Sequence, residues 1–206
     1  MRTARIDKTV VSGVFSLDGQ DFDVDNNVWL VGDDDEVLVI DAPHDAAPIV
    51  EVIGGRRVTA IVLTHGHNDH ITAAVALRKA TGAPIWFNPA DRMLWDTVHP
   101  DTAPDHELSA GTRFDVAGTT LSALHTPGHS PGSTCLHAPD LNTVFTGDTL
   151  FCGGPGATGR SFSDHPTIVN SIRSQLFSLD GDTVVKTGHG DDTTIAAERG
   201  NVPDQG

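Results

Sequence analysis

A chain of 206 residues with 38% hydrophobic residues is long enough for one domain with a full core and short for two. Its formal net charge of −15, with Arg56-Arg57 the only adjacent arginine pair, argues against nucleic acid as a partner. No apolar run approaches membrane-spanning length, Met1 to Asp7 lead into no signal-peptide core, and Cys135 and Cys152 are too few for a disulfide framework, so a cytoplasmic protein is expected.

Taken in order, residues 10–17 and 27–31 read as strands, and Gly32-Asp33-Asp34-Asp35 as a turn. Residues 36–40 form a short apolar strand ending in Asp41-Ala42-Pro43. An Asp there either hydrogen-bonds into a site below the strand or simply opens a turn. His44 beside it reads as a loop residue. Asp45 with Pro48 marks the start of a short helix, and Gly54-Gly55 its end. Residues 58–63 are the next buried strand. A helix is predicted over 69–81, packing through Ile71, Val75 and Leu77 and stopped by Gly82. Residues 84–88 return to strand, so the first half alternates strand and helix, which predicts a layered α/β arrangement.

Residues 97–104 read as loop. Residues 112–116 and 119–124 form a hairpin around Ala117-Gly118, and 134–137 and 142–145 are short strands. A glycine-rich loop over 152–159 closes at Arg160. An amphipathic helix over 166–179 and a strand over 183–186 complete the pattern, and the tail from Asn201 is expected to fray. No repeat or linker interrupts the chain. One domain over 1–206 is expected, its two groups of strands forming two packed sheets with helices outside.

Between the strand at 58–63 and the helix after it stands Thr64-His65-Gly66-His67-Asn68-Asp69-His70. Four possible metal ligands at the carboxyl end of a buried strand are hard to explain as packing. Three further strand ends supply His129, Asp148 and His189, each beside a glycine that lets the backbone turn tightly. Imidazoles and carboxylates suit zinc, iron or manganese. Seven donors exceed what one four-coordinate metal uses and suffice for two if a carboxylate bridges them. His44, His99, His106, His125, His137 and His165 lack such company and read as structural or surface residues.

These segments resemble the metallo-β-lactamase superfamily, and within it the short, single-domain glyoxalase II-like hydrolases. The resemblance runs from about residue 27 to about residue 201. It is carried by Thr64 to His70, Thr126-Pro127-Gly128-His129-Ser130-Pro131-Gly132, Phe145 to Phe151, Gly159-Arg160, and Gly188 to Ile195. It implies a four-layer αββα sandwich with the site at one edge of two sheets. It further implies two divalent metals, zinc first, with iron or manganese also suited. His65, His67 and His129 would hold one metal, Asp69, His70 and His189 the other, and Asp148 would bridge. A water shared by the metals would be the nucleophile, with Asp69 orienting it or relaying its proton. The implied activity is hydrolysis of a small-molecule thioester, S-lactoylglutathione or a counterpart, as in hydroxyacylglutathione hydrolases.

Departures from neighbouring branches narrow this expectation. Asp148 stands where β-lactamases would call for Cys or for no bridging carboxylate. The chain has no Tyr, which weakens a homoserine-lactone reading, and its acidic compactness is unlike the longer RNA-processing branch. Only 17 residues follow His189, so the helical recognition domain of full-length glyoxalase II is not expected. Recognition then falls to loops over 93–104 and 152–164. Arg160 either meets a substrate carboxylate or ties its loop to a nearby acid. Cys152 either approaches the site or merely packs. The competing activity is an iron-dependent persulfide dioxygenase, with one iron at the positions matching His65, His129 and Asp148. A metal-binding module without activity is the third reading. The sequence leaves the oligomeric state open.

Overall fold

Apolar residues on both faces of the central strands require cover on both sides, and the fold supplies it. The computed structural model describes residues 4–204, so the first three residues read for a leader and the last two of the tail lie outside the described part. Strands β1 (Arg5–Leu17) and β2 (Gln20–Gly32) form a long hairpin. There follow β3 (Glu36–Ile40), α1 (Ala46–Ile53), β4 (Arg57–Val62), α2 (Asn68–Ile71), α3 (Ala74–Thr81), β5 (Ile85–Phe87), α4 (Arg92–Val98) and β6 (His106–Glu107). These strands make a six-stranded sheet in the order β1-β2-β3-β4-β5-β6.

The second sheet begins with β7 (Arg113–Val116), β8 (Thr119–His125), β9 (Thr134–Ala138) and β10 (Thr143–Gly147). A small ribbon, β11 (Leu150–Phe151) with β12 (Gly154–Pro155), lies outside both sheets. After α5 (His165–Ser171), β13 (Val184–Thr187) and β14 (Thr193–Thr194) complete the sheet in the order β14-β13-β10-β9-β8-β7, and α6 (Ile195–Glu198) follows.

Alternation along β2 and β3 sorts the core into layers. Trp29, Val31, Leu38 and Ile40 meet Phe114, Leu121, Leu136 and Phe145 between the sheets. Val28, Leu30, Val37 and Val39 turn the other way, onto Ile49, Ile71, Leu77 and Trp95 of the helices. Beyond the second sheet, Val144 and Val185 pack against Ile168, Val169, Ile172 and Leu176. The four-layer αββα sandwich is the observed fold.

Several details differ from the expectation. The helix predicted over 69–81 is two helices, because Ala73 N–H bonds to Ala42 O (2.9 Å) and Ala42 N–H bonds to His70 O (2.9 Å). The end of β3 thereby takes over hydrogen bonds that a continuous helix would use. Residues 93–98 are helical rather than loop. The helix predicted over 166–179 continues from α5 as a π-helical turn over Ile172–Leu176, where Phe177 N–H bonds five residues back to Ile172 O (2.9 Å). The tail is held as far as it is described: Val202 is buried beside α5, and Arg173 donates to Pro203 O (3.2 Å).

The edge strand β1 is partly capped by a residue of the histidine motif. Asn68 donates Nδ2–H to Val14 O (2.8 Å) and accepts from Ser16 N–H (2.9 Å), filling one rung of a strand ladder with a side chain. This sets the hairpin tip over the site, where the Phe15 ring lies 5.2 Å from that of His67. Asn68→Ala is expected to cost roughly 1–2 kcal/mol and to speed hydrogen exchange at Ser16 N–H, read by exchange with mass or NMR detection.

Candidate metal centre

Four strands deliver their carboxyl ends to one edge of the sandwich. Residues after β4 carry His65, His67, Asp69 and His70; His129 follows β8, Asp148 follows β10, and His189 follows β13. Bonds between the sheets fix this meeting point. Thr134 N–H donates to Thr64 O (2.8 Å), Asn27 N–H to Gly188 O (2.8 Å), and Trp29 Nε1–H to Thr187 O (2.9 Å). All seven residues singled out in the sequence are brought together.

Their donor atoms form three mutually close triads: His65-His67-His129, Asp69-His70-His189, and His65-His70-Asp148, which links the first two. In the first, His67 Nδ1 lies 3.1 Å from His65 Nε2 and 3.0 Å from His129 Nε2. In the second, His70 Nε2 and His189 Nε2 are 3.2 Å apart. His189 Nε2 is 3.3 Å from Asp69 Oδ2. Asp148 stands between the triads: Oδ1 lies 3.3 Å from His70 Nε2, and Oδ2 lies 3.5 Å from His129 Nε2 and 3.4 Å from His189 Nε2.

Protons can be assigned from the outer partners. His70 Nδ1 donates to Asp41 Oδ2 (2.8 Å), His129 Nδ1 to Ala157 O (2.8 Å), and His189 Nδ1 to Asp25 O (2.8 Å). Thr64 Oγ1 spends its proton on Asp41 Oδ2 (2.9 Å), so it accepts from His65 Nδ1 (3.1 Å). In four imidazoles Nε2 therefore faces inward while Nδ1 holds an outer partner, the orientation a metal requires. Burial, with the neighbouring histidines, holds His65 well below its ordinary pKa, and burial with His129 lowers His67 to about 3. His65 Nε2, His67 Nδ1 and His129 Nε2 thus converge at spacings of about 3 Å, with His65 and His67 held uncharged, an arrangement of imidazoles suited to a cation. On a tetrahedral metal with bonds of 2.0–2.1 Å, ligand atoms stand roughly 3.3 Å apart.

The second triad gives the same answer from charge. Burial opposes a charged His70, yet Asp148, Asp69 and Asp41 raise it well above its ordinary pKa. Burial likewise opposes His189, and Asp148 with Asp69 raises it to about 10. These carboxylates favour whatever positive charge is available, protons or a divalent cation. Asp69 Oδ1 and Asp148 Oδ1 are buried with no hydrogen-bond partner. The residues fit a metal centre.

Sequence reading missed part of the support. Asn26, buried, donates Nδ2–H to Asp69 Oδ2 (3.0 Å) while its Oδ1 accepts from His44 Nε2 (2.8 Å), which fixes the amide's orientation. His44, read as a loop residue, therefore acts on the site through Asn26. Asp91 joins the two histidine loops, accepting from Gly66 N–H and Ser130 Oγ–H at Oδ2 (2.8 and 2.6 Å) and from Gly132 N–H at Oδ1 (2.6 Å). No motif announced either residue: Asn26 stands just before the strand read over 27–31, and Asp91 just beyond the one read over 84–88.

Asp41 resolves toward the site. Its backbone is left-handed (φ 66°), a costly conformation for Asp, and Oδ1 accepts from Thr64 N–H (2.7 Å). Asp41→Asn turns an amide donor toward existing donors. It is expected to weaken metal binding by roughly ten- to a hundredfold, measured by competition with a chelator.

Arg160 is spent elsewhere. Nη1 donates to Gln20 Oε1 (2.8 Å) and the guanidinium lies 4.7 Å from the Phe22 ring centroid, so it fastens its loop to the hairpin rather than to an acid. Cys152 is exposed and lines the cavity above the ligands, as do Phe15 and Val24 of the hairpin. Of the two loops expected to recognise substrate, 152–164 borders this cavity and 93–104 does not; the hairpin takes its place.

Seven histidines and aspartates at the strand ends of an αββα sandwich define a metal-binding hydrolase fold. The chain belongs to the metallo-β-lactamase superfamily, whose family pattern matches residues 22–189. It is 32% identical over 194 residues to hydroxyacylglutathione hydrolase GloC of Haemophilus influenzae, covering 86% of this chain and 91% of that one. Among solved structures, the BLEG-1 B3 metallo-β-lactamase superposes with a TM-score of 0.79 at 27% identity, over 94% of this chain and 98% of that one. TTHA1623 in a di-iron-bound form superposes with a TM-score of 0.78 at 30% identity, over 87% and 95%. Among the described residues, no helix is long and apolar enough to cross a membrane.

Proposed function

We propose that this protein hydrolyses a thioester of a small thiol at a dinuclear metal centre. The observation that carries the reading is the pair of triads with the Asp148 carboxylate between them. His65, His67 and His129 would hold one ion, Asp69, His70 and His189 the other, and Asp148 would touch both. Zinc is the first candidate, and the di-iron form of TTHA1623 makes iron the second. Such a pair, when bound, lowers the pKa of water toward neutrality and polarises the substrate carbonyl.

The chain's own groups supply the rest. Burial works against the Asp69 charge, but His70, His189 and Asn26 hold its pKa down at about 2. Asn26 occupies Oδ2, which leaves buried Oδ1 to accept a proton from the attacking water or to orient it. Phe15, Phe151 and Ala157 wall the cavity and shield the reacting carbonyl from bulk water. A thiolate leaves with little need of protonation, so no further acid is required. The relationship to hydroxyacylglutathione hydrolase GloC supports the same chemistry.

The test is an assay of the purified, metal-analysed protein on thioesters, a cephalosporin and a thiol persulfide with an oxygen electrode. Thiol release from thioesters is expected. Persulfide-dependent oxygen uptake with one iron per chain would instead make it a dioxygenase. β-Lactam opening without thiol release would also contradict the reading.

A further inference from the structure

The cavity over the metal ligands has a volume of about 620 Å³, and its composition bears on which thiol it accepts. Its walls are apolar, made by Phe15, Val24, Phe151 and Ala157, and Asp191 is exposed at its rim. Among the described residues lining it there is no Lys or Arg.

The nearby cations are engaged elsewhere. Arg160 lies against Gln20 and Phe22 and borders a small pocket of about 40 Å³ that shares Phe15, His67, His129 and Ala157 with the cavity wall. Lys186 pairs with Asp192 and lies 4.8 Å from the Trp29 ring centroid, with Lys8 at 4.9 Å. The Asp25 carboxylate, also lining the cavity, accepts from Ser12 Oγ–H (2.5 Å). The whole chain carries a formal −15. A thiol with two carboxylates needs donors in fork or point geometry to replace its hydration. This cavity offers it apolar carbon, an acidic rim and a repulsive long-range field.

We propose that the thioester hydrolysed here carries its acyl group on an uncharged thiol with apolar surface, not on an anionic thiol with two carboxylates such as glutathione. The inference rests on the thioesterase reading and narrows it. The apolar walls take the thiol portion by excluding water, and the metal ligands take the acyl carbonyl. Electrostatics then selects against anions rather than for a particular sequence of contacts.

The test uses the full-length protein carrying a verified two metals per chain and two lactoyl esters, one of glutathione and one of N-acetylcysteamine. Each rate is divided by the hydroxide-catalysed rate of the same ester, which removes the difference in leaving group. The corrected kcat/KM is expected to favour the uncharged ester by at least about tenfold at low salt, the gap narrowing as ionic strength rises. Ala157→Arg, which adds a cation to the wall, and Asp191→Asn, which removes the rim charge, are each expected to shift that ratio toward glutathione by roughly five- to tenfold, chiefly through KM. A corrected ratio at or below one overturns this inference and leaves the thioesterase reading standing. No thiol release from either ester by the two-metal protein overturns both.

Discussion

Asp148→Asn is expected to leave the protein with fewer than two metals per chain and to lower kcat/KM on its thioester by about a thousandfold. Asp148 is the carboxylate that reaches both triads, with oxygens 3.3 Å from His70 Nε2, 3.4 Å from His189 Nε2 and 3.5 Å from His129 Nε2. Asn keeps the shape, removes the charge and replaces one oxygen by a donor that cannot ligate. Burial opposes the charge of Asp148, but His70 and His189 keep its pKa well below the usual range. The space it occupies depends on Gly188: a Cβ there would lie 2.3 Å from Asp148 Oδ1, so any side chain would displace the carboxylate. Elemental analysis and steady-state kinetics on the same preparation check the expectation. Full metal content in the variant would remove Asp148 from the bridging role.

Asp91→Asn is expected to cost roughly 2–4 kcal/mol of stability and to weaken metal binding by about ten- to a hundredfold. Asp91 is fully buried and its hydrogen bonds go to Gly66, Ser130 and Gly132 rather than to a proposed ligand, yet it holds the two loops that carry His65, His67 and His129. Burial pushes its pKa up, and the hydrogen bonds from Ser130, Gly132 and Gly66 pull in the other direction without fully offsetting it. All three of its partners are donors, so an amide NH₂ must face one of them. Gly132 allows this approach, since a Cβ there would lie 2.6 Å from Asp91 Cγ. Chemical denaturation reads the stability, and a chelator competition reads the metal. Unchanged values for both would mean that the loops hold their positions without this carboxylate.

The legibility of the chain follows a physical division. The strands of the core were readable because burial on two faces leaves near-continuous apolar runs, as in β3 and β4. The clustered donors were readable because metal chemistry restricts residue type and strand ends restrict place: His65 to His70, His129, Asp148 and His189 all met both conditions. Supporting residues were not. Asn26 and Asp91 act through hydrogen bonds to partners 43 and 25–41 residues away, so nothing beside them in the sequence marks them. Asp41 was half legible, since its position at the end of β3 pointed inward but its strained backbone did not show. The break between α2 and α3 was hidden because Ala42 supplies the competing hydrogen bonds, a tertiary effect that helical periodicity cannot carry. The hairpin's role over the site was hidden for the same reason: Asn68 pins Val14 and Ser16 through bonds to residues more than fifty positions away.

The arrangement of two triads about one carboxylate makes a definite demand on stoichiometry. Elemental analysis of purified, active protein is the most direct test. Two divalent metal ions per chain, falling together with thioester hydrolysis when a chelator removes them, is the expected result. A single iron per chain in fully active protein, with nothing gained on adding a second metal, would contradict the dinuclear account.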